Sequence, residues 1–232
     1  MSDKKKKVRV VAFVPMKHKS ERVPGKNYRS FAGKPLYHQI IGSLLDCKLI
    51  DEVVIDTDSL LIEKDCQKHF SSVKLLKRPK HLRSGKTSMN DVLLNTVKQI
   101  EADFYLQTHS TNPLLKTKTI TKALRKFLRS YPMHDSLFSV TRLQTRLWDQ
   151  VAKAINHNPS VLLRTQDLAP VYEENSNIYI FTRDILEKRH NRIGRKPLMF
   201  EVDAEEAWDI DEEIDFKMAE FLFKERKKSK KR

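Results

Sequence analysis

The stretch VRVVAFVPMKHKSERVPGKN, residues 8–27, joins an apolar run to a basic loop. The run VVAFV, residues 10–14, has the length and β-branched content of a strand that is buried on both faces. The loop after it is stiffened by Pro15 and Pro24 and flanks Ser20 with basic side chains, namely Lys17, His18, Lys19, Arg22 and Lys26. In an open α/β sheet, a loop at the carboxyl end of such a strand lies where ligands bind. Because a polyanion would relieve the repulsion among these cations, the loop predicts a phosphate site rather than a solvated surface loop.

The remainder of the chain alternates short apolar segments with stretches that carry apolar residues at helical spacing. Alternation of this kind indicates βαβ units and a mostly parallel sheet, so the predicted fold class is α/β. Further strands are predicted at residues 52–56, 73–76, 104–108, 136–141, 177–182 and 199–202. A final helix is predicted to close the fold with its apolar residues, Ile214, Met218, Phe221 and Leu222.

The chain has 232 residues, a net charge of +15 and 39% hydrophobic residues. That hydrophobic content suffices for the core of one domain, which we predict over residues 8–226. Residues 1–9 and 224–232 together carry +10 of the +15, and residues 1–7 and 227–232 within them are predicted to be disordered basic tails. Since no base-reading motif accompanies the tails, nucleic acid is expected to bind only incidentally.

No apolar run approaches the ~20 residues that would span a bilayer. The N-terminal MSDKKKK is not followed by the apolar segment of a secretory signal. Cys47 and Cys66 lack metal-binding spacing and lie in apolar helical patterns. We therefore expect a cytoplasmic protein without a membrane partner and with two buried free thiols.

Residues 142–174 differ in character from the rest of the chain, with little periodicity, two prolines and Trp148. A structureless segment of this length is uncommon inside a compact domain, so an arm that folds against another surface is predicted. Its apolar patches predict an interface, and a two-fold homodimer is the commonest solution.

The acidic triplet Asp209-Ile210-Asp211 places two carboxylates on the same side of an extended segment while Ile210 packs inward. Mg²⁺ takes one or two carboxylates together with waters and substrate phosphates, so the pair predicts a magnesium site. The alternative is an acidic start to the last helix, because negative charge also favours a helix N-terminus.

The first loop also resembles a known family. Its pattern PxKxxSxxxPxKN, which begins at Pro15 and ends at Asn27, resembles the nucleotide-binding loop of the acylneuraminate (CMP-sialic acid synthetase-like) cytidylyltransferases. That family usually has arginine where this chain has Lys17, and small residues at 18, 19 and 22.

Other segments resemble the same family in the same order. Arg78-Pro79 with Ser88 matches an element near the nucleotide, and residues 107–114 resemble QPTSPL with His109 at the glutamine. Residues 164–167 resemble RRQD, and residues 172–179 resemble YENGSFY with Ser176 at the glycine. The family carries a similar aspartate pair just before its last helix.

The resemblance implies a three-layer α/β/α domain of the nucleotide-diphospho-sugar transferase (glycosyltransferase-A-like) type. It implies Mg²⁺-dependent transfer of CMP from CTP to a sugar acid, with pyrophosphate released, and an arm that reaches a second subunit. By resemblance, Lys17, Lys26 and Asp211 are catalytic, and Asp209 and Asp211 hold the metal. The nucleotide-binding residues are then Pro15, Met16, Lys17, Ser20, Lys26, Asn27, Arg78 and Ser88. The acceptor-binding residues are His109, Asn112, Arg164, Gln166, Asn175 and Tyr179.

The residues also allow two alternative functions. A glycosyltransferase that uses a nucleotide sugar shares this fold type and a DxD, although there the DxD commonly follows a mid-chain strand. A non-enzymatic RNA-binding protein would act through the basic tails. GxxxxGK[ST] and GxGxxG are absent from the sequence, which excludes the P-loop and the Rossmann fingerprint.

Overall fold

The structure, a computed structural model, describes residues 7–229. Its strands are β1 Val10–Met16, β2 Ser30–Phe31, β3 Lys34–Pro35, β4 Glu52–Thr57, β5 Lys74–Lys77, β6 Phe104–Gln107, β7 Ser136–Leu143, β8 Val171–Phe181 and β9 Pro197–Glu201. Its α-helices are α1 Tyr37–Leu45, α2 Leu60–His69, α3 Met89–Val97, α4 Thr117–Ser130, α5 Arg183–Arg189 and α6 Glu213–Ser229. Within this part of the chain, no helix is both long and apolar enough to cross a bilayer.

Seven strands form one sheet in the order β5-β4-β1-β6-β8-β7-β9, and β2 pairs with β3 in a separate hairpin. Neighbours from β5 to β6 are parallel, β8 is antiparallel to both of its neighbours, and β7 and β9 are parallel. Only β8 therefore runs against the other strands of this sheet as described, and the predicted mostly parallel α/β sheet is confirmed.

The central strand β1 is buried along its whole length, as its apolar run predicts. Val10, Ala12 and Val14 pack against α1, α2 and α4, whereas Val11 and Phe13 pack against α3 and α5. Since successive side chains of a strand point to opposite faces, a strand covered by helices on both sides must be apolar throughout. The predicted three-layer arrangement is confirmed.

The closing helix is turned differently from the prediction. Ile214, Met218 and Phe221 are exposed, and α6 instead buries Phe216 and Ala219. The cause is the β2–β3 hairpin, because Phe31 meets the Phe216 ring edge-on at 5.6 Å. The spacing of apolar residues predicts that a helix has an apolar face. The element that packs against the helix, here the β2–β3 hairpin, determines which of its residues are buried. The helix also extends to Ser229, so residues 227–229 of the predicted C-terminal tail are helical.

The middle of the chain is more regular than predicted. β7 continues to Leu143, and β8 begins at Val171 rather than at residue 177, because Leu143 pairs with Val171 and Val140 with Glu174. The predicted arm over residues 142–174 is therefore reduced to residues 144–170. The helix α5 was not predicted. Of the predicted tails, residues 1–6 and 230–232 lie outside the described part of the chain.

Candidate active site

A cavity of about 360 Å³ opens at the carboxyl ends of β1 and β6. Its walls come from the basic loop after β1, from the turn after β6 and from Gly85. The predicted site residues that line it are Pro15, Met16, Lys17, Ser20, Lys26, Asn27 and His109. The structure thus gathers residues predicted for both substrates at one place, and their binding roles stay predictions.

The basic loop is held in place by Asn27, which is buried. Its side-chain nitrogen donates to the carbonyl of Lys17 at 2.8 Å, and its side-chain oxygen accepts from the Ser110 hydroxyl at 2.7 Å. Lys17 donates its Nζ to the carbonyl of Ser84 at 3.1 Å, which leaves its ammonium at the cavity wall beside Ser20. Asn27 therefore joins the first loop to the turn after β6.

Lys26 lies between the loop and the acidic triplet. Its side chain is buried, and its Nζ donates to the carbonyl of Ile210. Burial lowers the pKa of Lys26, while the carboxylates of Asp209 and Asp211 act in the opposite direction. Two acidic neighbours thus help to keep a positive charge in a desolvated place beside the cavity.

The acidic triplet is anchored by Ile210, as predicted from its position between two aspartates. Ile210 is fully buried, and its N–H donates to the carbonyl of Thr111 at 3.0 Å. Asp209 as a whole residue is exposed to solvent. Its carboxyl group is nevertheless surrounded by protein atoms, and the resulting desolvation raises its pKa. The hydrogen bond from Thr111 acts in the opposite direction, whereas the like charge of Asp211 adds to the rise.

Asp211 does not serve as the acidic start of α6. Asp215 takes that role, because its carboxylate accepts from the N–H groups of Asp211 at 3.1 Å and Glu212 at 2.8 Å. The Asp211 carboxylate instead forms a 2.5 Å ion pair with Arg22, which lines the cavity. The Asp211 carboxylate therefore does not cap α6, and its role in binding a metal stays a prediction.

The donors around Asp209 and Asp211 fit a magnesium ion that also binds phosphate. Asn112 donates to Asp209 at 3.4 Å, and its own side-chain oxygen is buried with no hydrogen-bond partner among the described residues. Between Lys7 and Ser229 no cluster of three or more His, Cys, Asp or Glu side chains could hold a metal. Two carboxylates and a free amide oxygen are too few for a closed metal site, but they suit Mg²⁺ with phosphates and waters as its other ligands.

Arg78 and Ser88, both predicted to bind the nucleotide, do not line this cavity. Arg78 is buried and donates to the side chain and the carbonyl of Asp56, while its own carbonyl accepts from Arg83. Ser88 caps α3, because its hydroxyl accepts from the N–H of Asp91 at 3.1 Å. Both residues have structural partners, and their contact with the nucleotide stays a prediction.

Arg164 and Gln166 lie on the arm, away from this cavity. Arg164 is exposed and pairs with Asp167 at 2.7 Å, and the Gln166 carbonyl accepts from Gln144 at 2.6 Å. Neither residue lines the cavity of its own chain. An acceptor-binding role for them would require the arm to meet another copy of the chain.

Asn175 and Tyr179 lie on β8. The Asn175 side-chain oxygen accepts from Ser139 at 2.6 Å, and the Tyr179 hydroxyl donates to Glu174. Ser176, which stands at the glycine of the resembled segment, has a φ of +57°. A left-handed backbone is where glycine is favoured, and Ser176 adopts it within β8, where the pairing with β7 shifts register.

Sequence reasoning missed Arg192 as a site residue. It follows α5 in the segment HNRIGRK, which carries no motif. Arg192 donates to Gln107, and the Gln107 nitrogen lies 2.9 Å from Nε2 of His109. Arg192 does not line the cavity, but the fold brings it, 85 residues from Gln107 in sequence, to the side chain that contacts His109 of the cavity wall.

The class of protein follows from the fold and the site together. A nucleotidyltransferase is defined by the three-layer α/β/α fold, the cationic loop after β1 and the acidic triplet beside that loop. The chain belongs to the cytidylyltransferase family, because the family model described as Cytidylyltransferase matches residues 11–229. The predicted family and enzyme class are thereby confirmed.

Known proteins agree with this assignment. The chain is 30% identical over 229 residues to CMP-N,N'-diacetyllegionaminic acid synthase of Legionella pneumophila, covering 93% of this chain and 96% of the relative. It is 28% identical to post-translational flagellin modification protein B of Campylobacter coli, covering 89% and 92%. The solved structure of CMP:2-keto-3-deoxy-manno-octonic acid synthetase complexed with CTP has a TM-score of 0.71 at 17% identity, covering 94% of this chain and 99% of that chain. This last likeness concerns the fold.

Proposed function

We propose that this cytidylyltransferase transfers CMP from CTP to an acidic sugar and releases pyrophosphate. The observation that carries the proposal is the cavity at the ends of β1 and β6, where Lys17 and Lys26 face the site beside Asp209 and Asp211. The names of its relatives, which include a CMP-legionaminic acid synthase, support a sugar acid as the acceptor.

The reaction joins a hydroxyl oxygen of the sugar to the α-phosphorus of CTP and breaks the bond between that phosphorus and the pyrophosphate. The chain's contribution to such a transfer is mainly positioning and charge stabilisation. Lys17 and Lys26 neutralise phosphate oxygens, and Asn27 holds their loop against the turn after β6. His109 lines the same cavity and contacts the acceptor.

Mg²⁺ is proposed as the cofactor, held by Asp209 and Asp211. When bound it would supply positive charge beside the polyphosphate. The fit rests on two neighbouring carboxylates, the raised pKa of Asp209 and the unpaired oxygen of Asn112 among the described residues. Arg22, which pairs with Asp211 in the structure, would give up that contact to the metal.

A homodimer is proposed through the arm of residues 144–170. Its apolar side chains are open to solvent over the described chain, namely Trp148, Val151, Ile155, Val161, Leu162 and Leu163. Apolar surface of this kind tends to mark an interface, and pairing would bring Arg164 and Gln166 to a second copy.

The buried free thiols of Cys47 and Cys66 support a cytoplasmic location.

A pyrophosphate-release screen tests the proposal. CTP, UTP, ATP and GTP are each combined with Mg²⁺ and with nine-carbon sugar acids, eight-carbon sugar acids, phosphonates or neutral sugars. Release that requires both CTP and an acidic sugar is the expected result. A glycosyltransferase would release nucleoside diphosphate from a nucleotide sugar instead, and a non-enzymatic RNA-binding protein would release neither.

A further inference from the structure

Gln107, the last residue of β6, is fully buried between a cation and a histidine. Nη1 of Arg192 donates to its side-chain oxygen. Its side-chain nitrogen lies 3.1 Å from the carbonyl of Thr108 and 2.9 Å from Nε2 of His109. The three side chains therefore form a short chain of hydrogen bonds that ends at the cavity.

The direction of each bond follows from the chemistry of its groups. Arginine has donors and no acceptor, so the group of Gln107 that faces Arg192 must be the oxygen. The nitrogen of Gln107 must then face His109, and it can only donate. Nε2 of His109 must therefore accept, which places the N–H of the neutral ring at Nδ1.

Arg192 is itself held in a fixed position. Its guanidinium carbon lies 3.8 Å from the centre of the Tyr179 ring, on the ring face. The Tyr179 hydroxyl donates to Glu174 and lies 3.1 Å from the Ser176 hydroxyl. Arg192 thus rests on a tyrosine that is fixed by two further residues of β8, so its bond to Gln107 has little freedom to rotate away.

The contact with Gln107 requires a neutral His109 ring, because a charged imidazolium has two donors and could not accept from the Gln107 nitrogen. Desolvation in this setting lowers the pKa of His109 to about 4, and the positive charges of Arg192 and Lys26 act in the same direction. A neutral imidazole has one donor and one acceptor. With the acceptor used by Gln107, only a single donor remains on a ring that lines the cavity.

We infer that Arg192 acts through Gln107 to fix His109 in its Nδ1–H form, and that His109 offers this one donor to an oxygen of the acidic sugar. Arg192 and Gln107 are positioning residues, and His109 touches the acceptor. The inference rests on the proposed function, since the acceptor is what occupies that part of the cavity. It adds a requirement on the acceptor, namely an oxygen with a free lone pair opposite His109.

Histidine ¹⁵N NMR tests the inference without turnover. In the labelled protein, His109, assigned by the loss of its signals in His109→Asn, should show a protonated Nδ1 and an unprotonated Nε2 at pH 7. In Gln107→Glu the carboxylate can only accept, so the proton should move to Nε2 or the ring should become charged. A parent protein with its proton on Nε2, or a Gln107→Glu variant with an unchanged ring, would overturn the inference.

Steady-state kinetics provide a second test of the inference. Arg192→Met should raise the KM for the acidic sugar by about 3- to 10-fold, the worth of one neutral hydrogen bond, with the KM for CTP within twofold. Arg192→Lys keeps a donor and should recover part of the loss, and Arg195→Met at an exposed position of the same segment is the control. Equal changes in both KM values, or none, would contradict a positioning role. If the parent releases no pyrophosphate at all, the proposed function fails while the tautomer result still stands or falls on its own.

Discussion

The buried ammonium of Lys26 donates to the main-chain carbonyl of Ile210, 184 residues further along the chain. This contact links the loop after the first strand to the acidic triplet before the last helix. Because Asp209 and Asp211 flank that carbonyl and Arg22 pairs with Asp211, two cations and two carboxylates meet beside the cavity. The proposed site depends on this contact, because it places the phosphate-binding loop next to the proposed metal ligands.

Replacing Lys26 tests whether its charge acts on the phosphates. Lys26→Ala removes a charge-assisted contact, and loss of a comparable electrostatic group costs on the order of 10²–10³ in kcat. The measurement is pyrophosphate release at saturating CTP, with Lys34→Ala on the exposed strand β3 as the control. Turnover at the parent rate in Lys26→Ala would show that the loop is not the triphosphate site.

The arm is predicted to hold two copies together. Leu162 is 88% exposed in the single chain, so Leu162→Asp costs little folding stability but places a charge in the proposed interface. Sedimentation at micromolar concentration should show a dimer for the parent and a monomer for the variant. A monomeric parent would remove the arm's proposed role and with it the roles of Arg164 and Gln166.

The basic ends are predicted to be dispensable for chemistry. The helical bounds of α6 restrict this test to residues 1–6 and 230–232, because Lys228 pairs with Glu225 within the helix. A chain lacking these nine residues should keep its steady-state rates while its affinity for RNA falls. Lost activity in a folded, truncated chain would mean that the tails take part in the reaction.

The fold was largely predictable because its strongest signal is a buried strand. The run at residues 10–14 is apolar throughout, short and rich in β-branched residues, as a strand covered on both faces requires. The orientation of α6 was not predictable, because both of its faces carry apolar residues and the β2–β3 hairpin selects Phe216. The extent of β8 was missed because residues 171–176 have little apolar alternation and gain their strand structure by pairing with β7.

The candidate site was predictable where its residues are close in sequence. The loop from Pro15 to Asn27 and the acidic triplet are each contiguous, so spacing and chemistry identify them. Arg78 illustrates the limit, because Asp56, 22 residues earlier, binds it in the core. Arg192 illustrates the other limit, since its role follows from a contact with Gln107 that no local pattern encodes.

The acidic pair is predicted to hold Mg²⁺. Asp209→Asn and Asp211→Asn keep the side-chain shape but remove a charge, so kcat/KM should fall by on the order of 100-fold and recover partly at high Mg²⁺ or with Mn²⁺. The melting temperature should change little, since the Arg22–Asp211 pair is largely exposed and such pairs contribute little to stability. Calorimetric titration of Mg²⁺ in the presence of CTP should show weaker binding in both variants.

Asp184→Asn, at an exposed position on α5, is the matched control. If both site variants keep full activity and an unchanged Mg²⁺ dependence, the pair has no metal role. A steep fall in melting temperature would make the carboxylates structural instead.

The central claim is cytidylyl transfer to an acidic sugar, and ³¹P NMR of one reaction mixture tests it most directly. The parent protein is incubated with CTP, Mg²⁺ and an acidic sugar that is active in the pyrophosphate screen. The account predicts that the three CTP resonances are replaced by one phosphodiester resonance, from CMP joined to the sugar, and by pyrophosphate in equal amount. Appearance of CDP with inorganic phosphate, or of CMP that is not joined to the sugar, would contradict it.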